Sequence, residues 1–272
     1  MQPTSKLGGS ALKARTFGSM GTVISLTVPA GGAIATGGRA GVADHELDAA
    51  VAAVERVFAR LDESFSLYRP DSEASRLARG EHSLRAASAG MRDRYADAVG
   101  WRLMTEGAFS PERPDGVLDL SGLIKGYAIA QAGETLQSQG ITDWCLNAGG
   151  DVLVMGSPVP GSGASWAAGV VDPQDRTALL SAFELGGPGA RCALATSGSA
   201  ERGDHIWTAG AGGAEFTQVS VAAADIVTAD VLATAIVAGG TAMLHRATDG
   251  WEIDVLAVRR DGELLATPGF RA

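Results

Sequence analysis

Short segments rich in β-branched residues and amphipathic helical segments follow each other along this chain without a regular strand–helix–strand order. Residues Val23–Val28 are rich in valine, isoleucine and threonine, as strands are. Leu47, Val51, Val54 and Phe58 recur at the spacing that gives a helix one apolar face. Because a doubly wound parallel sheet needs strict alternation, this irregular order predicts an α+β fold instead.

The predicted elements form a single domain over residues 16–268, preceded by a flexible N-terminus at residues 1–15. We expect helices from Asp44 to about Leu61, at Ala87–Thr105, from the turn Asp119–Gly122 to Gly140, and at Thr228–Ala238. We expect strands at Thr16–Val28 with interruptions at Gly18 and Gly21, two at Asp143–Met155 around Gly149–Gly150, and others at Trp166–Val171, Ala182–Leu185, Ala190–Thr196 and Gln218–Ala223, followed by a hairpin at Glu252–Ala266.

The charge of the chain excludes some functions and constrains others. The net charge is −9 and no basic stripe is visible, so nucleic acid is not an expected partner. No secretory signal or run of about 18 apolar residues stands out, which predicts a cytoplasmic protein without an integral membrane segment. A chain this acidic can handle phosphate groups only with local positive charge, a metal ion or backbone amides.

The segment Asp119–Ala128 combines a carboxylate, small residues and a lysine at the start of a predicted helix. Helix N-termini carry free amides and a partial positive charge, so they receive anions. Lys125 could add a full charge there, and Asp119 could cap the helix. In the alternative interpretation, which weighs equally on these residues alone, Asp119 only caps and Lys125 is only a solvated side chain.

Asp230 and Thr234 are four residues apart and therefore share one face of the predicted helix. A carboxylate and a hydroxyl suit a hard cation such as Mg²⁺, which commonly completes its coordination with water and substrate phosphates. Alternatively, Thr234 bonds to a backbone carbonyl and Asp230 is surface charge. Asp225 could compete for the metal, but it lies off this face if the helix starts after it.

Three glycine-rich segments lie beside predicted strands, at Gly18–Thr22, Asn147–Asp151 and Ala195–Ser199. Such turns can cradle a phosphate or let a flat ring approach the backbone, although ordinary hairpins look the same. The chain contains neither a dinucleotide-binding G-x-G-x-x-G that opens a β-α-β unit nor a P-loop. The common nucleotide-binding folds are therefore disfavoured.

Taken in order, the motifs resemble the FAD:protein FMN transferase family, also called ApbE, over about residues 17–240. The matching pieces are Met20–Thr22, Ser66–Arg69 with Asp71–Glu73, Gly107–Phe109, Asp119–Ala128, Gly149–Asp151, Thr196–Gly198 with Glu201–Arg202, His205–Ile206 and Asp230–Thr234. The resemblance implies an internally duplicated fold of the tunnelling-fold type, with mixed sheets and packed helices.

The resemblance also implies an activity. Family members bind FAD as a substrate, hold Mg²⁺ against its pyrophosphate, and transfer FMN to a threonine or serine of an acceptor flavoprotein while AMP is released. Some members instead hydrolyse FAD to FMN and AMP, and a non-catalytic FAD-binding protein is a further alternative. Whether the acceptor lies at a membrane stays open.

Residue roles follow from the same resemblance, position by position. The side chains of Asp230 and Thr234 and the carbonyl of Gly122 match the metal ligands. Asp119 and His205 are candidates for the base that activates the acceptor hydroxyl. The positions expected to contact FAD are Met20, Tyr68, Ala108, Phe109, Ser110, Asp119, Lys125, Ser197, Gly198 and His205.

The chain departs from the family pattern at three places. Ser110 stands where an aspartate is usual, so one carboxylate near the ligand is lost, and Ala200 stands where a tyrosine is usual. The stretch after His205–Ile206 reads Trp207–Gly210 and lacks the usual aspartate and proline. We expect the loss of this aspartate and proline to affect the local loop shape and the binding of adenine or acceptor.

Overall fold

The computed structural model describes residues 11–30, 41–187, 191–198 and 214–270. Within these residues the chain forms an eight-stranded sheet and a separate two-stranded hairpin. The strands are β1 Leu12–Ser19, β2 Thr22–Pro29, β3 Trp144–Ala148, β4 Asp151–Met155, β5 Trp166–Val171, β6 Leu179–Leu185, β7 Ala193–Gly198, β8 Phe216–Ala223, β9 Asp254–Arg259 and β10 Leu264–Ala266. The predicted α+β class is confirmed, and the strands of both sheets pair antiparallel rather than in mixed sheets.

The order of strands in the large sheet repeats one arrangement twice. The sheet runs β1-β2-β3-β4-β7-β8-β9-β10. In the first half, β1 and β2 precede a group of helices and β3 and β4 follow it; in the second half, β7 and β8 precede one long helix and β9 and β10 follow it. This repeat agrees with the expected internal duplication, whereas the tunnelling-fold assignment stays a prediction.

The helices are α1 Asp44–Phe65, α2 Glu73–Ala78, α3 Ala89–Met104, α4 Ser121–Ser138 and α5 Ile226–Gly250, with a 3₁₀ turn at Leu84–Ala86. Helices α1 to α4 lie between the two strand pairs of the first repeat, and α5 lies between those of the second. α4 and α5 pack against each other. Their apolar faces build the main core with one face of the sheet. The β5–β6 hairpin and Phe270 cover part of the other face, where Trp166, Phe183 and Leu185 are buried.

α5 is the most apolar helix of the described residues and one of the most buried. By length and composition it could cross a membrane, since an 18-residue window reaches a mean hydropathy of 1.7. It packs on α4, β7 and β8, and its Asp230 is buried inside the protein. Burial in the core accounts for this composition.

Gly240 interrupts α5. Its φ of 61° and ψ of −153° lie in a region that essentially only glycine adopts. The helix resumes at Thr241, whose amide and hydroxyl donate to the carboxylate of Glu215, at 2.8 and 2.6 Å. Glu215 thus caps the second segment, because the first amides of a helix have no partner within the helix.

Most of the predicted elements are present, with several boundary corrections. β1 begins at Leu12, so Leu12–Arg15 are paired with β2 and do not belong to a flexible N-terminus. Lys13 and Arg15 of this strand form ion pairs with Asp44 and Asp48 of α1, respectively. α1 begins at Asp44, as expected, with Ala43 as its N-cap, whereas the short helix α2, capped by Ser72, was not predicted. The single-domain extent stays a prediction.

Candidate active site

Lys125 of α4 lies between two buried carboxylates. Its ammonium contacts Asp151 Oδ2 and lies 3.7 Å from Asp230 Oδ1. Asp151 and Asp230 are 0% and 2% exposed, and the Lys125 side chain is 11% exposed. Burying a charge is costly unless it is paired, so this cluster must be held by specific contacts. One ammonium faces two carboxylates, which leaves one formal negative charge in excess within this trio.

Asp151 joins the two halves of the sheet at this cluster. It is the first residue of β4, and its Oδ1 accepts a hydrogen bond from the Thr196 amide of β7 at 3.0 Å. The Thr196 hydroxyl in turn lies 2.8 Å from the hydroxyl of buried Ser220 on β8. Sequence reasoning included Asp151 in a glycine-rich motif but gave it no role. A charged residue directly before the apolar run Val152–Val154 was the signal available.

Asp230 reaches α4 at a point where glycine permits close approach. Its Oδ2 accepts a hydrogen bond from the Gly126 amide at 3.0 Å. A Cβ on Gly126 would lie 3.2 Å from both Asp230 Oδ2 and the Val227 Cα. In an α-helix the amide of residue 126 also faces the carbonyl of residue 122. The Asp230 carboxylate and the Gly122 carbonyl therefore surround the same amide.

Thr234 lies one helical turn after Asp230 on α5. Its hydroxyl is 2.9 Å from the Ser197 hydroxyl at the end of β7. The next residue, Gly198, is so close to β8 that a Cβ would lie 2.5 Å from the Thr217 carbonyl oxygen. Asp225 is the N-cap of α5 and accepts from the Thr228 amide at 2.8 Å, so the helix starts after it, as expected.

The glycine turns lie at the same end of the sheet as Asp151. Met20 and Gly21 form the tight turn between β1 and β2, both with positive φ. Gly149, in the turn between β3 and β4, donates its amide to the Val23 carbonyl at 3.1 Å. A Cβ on Gly149 would lie 2.3 Å from the Thr22 hydroxyl. Separate glycine motifs of the sequence thus meet beside the buried cluster.

Ala108 and Phe109 contact both long helices. Phe109 is buried, and a Cβ on Gly122 of α4 would lie 3.1 Å from its ring. A Cβ on Gly239 of α5 would lie 3.1 Å from the Ala108 Cβ. The Ser110 hydroxyl lies 3.2 Å from Glu112 Oε2. A carboxylate is therefore present next to Ser110, although the usual aspartate is missing.

The structure says less about the predicted roles of Asp119, Tyr68 and His205. Asp119 Oδ1 accepts from the Ser121 amide at 2.9 Å, so Asp119 caps the start of α4 as expected. Tyr68 lies on the turn after α1 and is 82% exposed, a position that does not test its predicted flavin contact. His205, together with Ala200 and Trp207–Gly210, lies outside the described residues.

The donors available for a metal ion are mostly neutral oxygens. The described part of the chain contains no group of three or more His, Cys, Asp or Glu side chains that could hold a metal ion. A cation beside Asp230 would need the Thr234 hydroxyl, a backbone carbonyl and oxygens from substrate or water. This donor set suits Mg²⁺, which binds through few carboxylates and keeps other oxygen ligands.

A sequence model of the ApbE family matches residues 110–256, which is more than half of the chain and includes Lys125, Asp151, Asp230 and Thr234. The chain belongs to the ApbE family. The match confirms the resemblance inferred from the short motifs. A search among curated proteins finds no match to the chain.

Solved structures of ApbE proteins share the fold over nearly the full length. The flavin transferase ApbE from Vibrio cholerae is 22% identical, with a TM-score of 0.71, 96% of this chain covered and 98% of the other. The ApbE protein from Thermotoga maritima is 17% identical, with a TM-score of 0.72 and coverages of 95% and 97%. The flavinyl transferase ApbE from Pseudomonas stutzeri, in its apo form, is 18% identical, with a TM-score of 0.70 and coverages of 97% and 98%.

Proposed function

We propose that this ApbE-family protein is a Mg²⁺-dependent FAD:protein FMN transferase. It would cleave the pyrophosphate of FAD, attach FMN through a phosphoester to a threonine or serine of an acceptor flavoprotein, and release AMP. The observation that carries the proposal is the buried trio Lys125, Asp151 and Asp230, because its excess negative charge lies next to neutral oxygen donors. Family membership and the structural similarity to flavin transferases of the ApbE family support the same activity.

Asp230, Thr234 and the Gly122 carbonyl would hold the Mg²⁺. Asp230 and Thr234 lie one turn apart on α5, and Gly122 lies one turn before Gly126, whose amide binds Asp230. These are hard oxygen donors, and together they leave positions for phosphate oxygens. When bound, the ion would neutralise the diphosphate and stabilise charge on the leaving phosphate.

The position of Lys125 differs from that expected for a lysine that binds the diphosphate directly. Lys125 was predicted to neutralise the diphosphate, yet its ammonium is paired with Asp151 and lies 3.7 Å from Asp230. Its main effect on the substrate would therefore be to fix the carboxylates. The positive end of the α4 helix dipole is a further source of attraction for an anion.

The acceptor hydroxyl must lose its proton during transfer. Asp119 is a candidate base because it is partly exposed at the start of α4, with Oδ1 bound to the Ser121 amide. His205 is the other candidate. A base must lie within hydrogen-bond reach of the proton it removes, directly or through one water. Separate Asp119→Asn and His205→Gln variants would assign the role.

Incubation of the protein with FAD, MgCl₂ and a candidate acceptor tests the proposed reaction. Mass spectrometry should show FMN attached to the acceptor, and chromatography should show AMP. Free FMN with AMP and an unmodified acceptor would indicate a hydrolase, and FAD binding without AMP release would indicate a non-catalytic protein.

A matched pair of α5 variants tests the metal site. Asp230→Asn should remove Mg²⁺-dependent turnover, because it removes the only charged ligand proposed. Asp225→Asn changes an exposed cap on the same helix and should leave turnover intact. Full activity of the Asp230→Asn variant would overturn the assignment.

A further inference from the structure

We infer that Ser197 is a positioning residue, whose hydroxyl accepts the proton of the Thr234 hydroxyl and so orients the lone pairs of the Thr234 oxygen toward a divalent cation. The inference rests on the proposed function, because it adds a residue to the metal site proposed there. The family resemblance predicted Ser197 only as a contact of FAD, so a role next to the metal is additional.

The first observation is that the hydroxyls of Ser197 and Thr234 form an exclusive pair. Their oxygens are 2.9 Å apart, which is a normal distance for an O–H···O hydrogen bond. Within the described part of the chain, neither hydroxyl has a second hydrogen-bond partner. Both residues are only partly buried, so a ligand can reach the pair.

The second observation is the direction of the Thr234 hydroxyl. Threonines inside helices usually donate to the backbone carbonyl three or four residues earlier. Thr135 of α4 and Thr248 of α5 follow this rule, with hydrogen bonds of 2.8 and 3.1 Å to the carbonyls four residues before them. Thr234 also lies inside α5, but its hydroxyl pairs with Ser197 of a neighbouring strand. Ser197 thus draws this hydroxyl away from its own helix.

The third observation is that the backbone of Ser197 is held in place independently of Thr234. Ser197 is the penultimate residue of β7 and pairs with Val219 of β8. On the other side of β7, the amide of the preceding Thr196 donates to Asp151 of β4 at 3.0 Å. The strand therefore presents the Ser197 oxygen to α5 from a fixed position.

The number of protons in the pair decides which hydroxyl donates when a cation is bound. Each hydroxyl carries one proton and two lone pairs, and a metal ligand must use a lone pair for the ion. When Thr234 donates its proton to Ser197, its lone pairs stay available for the cation. The Ser197 proton then stays available for an oxygen of the substrate, which is compatible with the predicted FAD contact.

Two variants of nearly equal shape test this inference without a catalytic assay. Ser197→Thr keeps a hydroxyl, whereas Ser197→Val has a methyl group in its place. Each full-length protein is titrated with Mn²⁺ alone, and the EPR signal of free Mn²⁺ gives the affinity. Ser197→Val should bind Mn²⁺ about tenfold more weakly than Ser197→Thr, because removal of a group that orients a metal ligand commonly weakens metal binding by this factor or more. Ser197→Thr should bind within about threefold of the wild type.

A control and a double variant separate positioning from a merely structural role. Ser157→Ala removes another serine hydroxyl that pairs with a serine, Ser162 at 3.2 Å, beyond the other end of β4, and should keep the wild-type Mn²⁺ affinity. In a Thr234→Val background, Ser197→Thr and Ser197→Val should bind Mn²⁺ equally, because no hydroxyl remains to be oriented. A tenfold difference that persists in that background would show that Ser197 acts without Thr234, and the inference would be wrong.

The same titration distinguishes failure of the inference from failure of the metal site. If the wild type binds Mn²⁺ and the single variants Ser197→Thr and Ser197→Val bind it equally, only the role of Ser197 is refuted. If the wild type itself binds no Mn²⁺, the proposed metal site fails and this inference fails with it.

Discussion

At the scale of single residues, the main feature is the imbalance of buried charge around Lys125. An ion pair that loses one partner leaves the other charge buried and unpaired, which is far costlier than losing the pair as a whole. Removal of Lys125 would leave Asp151 and Asp230 facing each other, whereas removal of the Asp230 charge would leave the Lys125–Asp151 pair intact.

We therefore expect unequal stability effects from two variants of this trio. Lys125→Met should lower the free energy of unfolding by about 3–5 kcal/mol, and Asp230→Asn should change it by less than about 1 kcal/mol. Urea unfolding in metal-free buffer measures both values. Equal losses in the two variants would show that the trio does not carry excess negative charge.

These residues also show how far the sequence alone could lead. Asp230 and Thr234 could be paired because the helical period puts them on one face, and the structure places them there. The role of Asp151 could not be predicted, since it depends on Lys125 and Thr196, which lie 26 and 45 residues away along the chain. The residues next to Asp151 in the sequence do not indicate that its carboxylate accepts a hydrogen bond from a distant strand.

At the scale of elements, the break in α5 depends on contacts with residues that are distant in the sequence. The predicted helix ended at Ala238, close to the break at Gly240, but the second segment to Gly250 was missed. It exists because Glu215, which precedes β8, supplies the cap for Thr241 and binds Arg259 of β9. α4 could be predicted nearly in full, because its apolar spacing and its end at Gly140 are local signals.

The cap at Gly240 predicts a pH dependence of stability. The hydrogen bond from the Thr241 hydroxyl, helped by its amide and by Arg259, holds the pKa of Glu215 below its ordinary value of 4.5. A carboxyl whose folded pKa is lowered stabilises the protein above its unfolded pKa, and this contribution disappears as the pH falls through the folded pKa. The stabilisation should thus be complete at neutral pH.

Glu215→Gln tests this contribution, because its amide carries no charge and keeps one oxygen that can accept from Thr241, while the second acceptor is lost. The wild type should exceed this variant in free energy of unfolding at pH 7, and the difference should decline as the pH falls through the folded pKa of Glu215. Glu263→Gln removes the other, more exposed partner of Arg259 and is the control. A difference independent of pH would disprove the role of the charge.

At the scale of the whole molecule, the candidate site draws on both repeats of the sheet. Lys125 and Asp151 belong to the first repeat, and Thr196, Asp230 and Thr234 belong to the second. Short motifs in the sequence predicted several members of the site, whereas the antiparallel pairing of β4 with β7 and the packing of α4 on α5 bring the two repeats together. A ligand that binds this site would hold both repeats in the folded state.

This arrangement predicts that FAD and Mg²⁺ stabilise the protein cooperatively. Ligands that bind only the folded state raise the unfolding temperature by mass action, and a cation that bridges Asp230 and the diphosphate strengthens the binding of FAD. Thermal unfolding should therefore remain one transition, and the shift with both ligands should exceed the sum of the separate shifts. In Asp230→Asn the FAD shift should persist while the extra increment from Mg²⁺ disappears. Additive shifts in the wild type would mean that the cation and the diphosphate do not share a site.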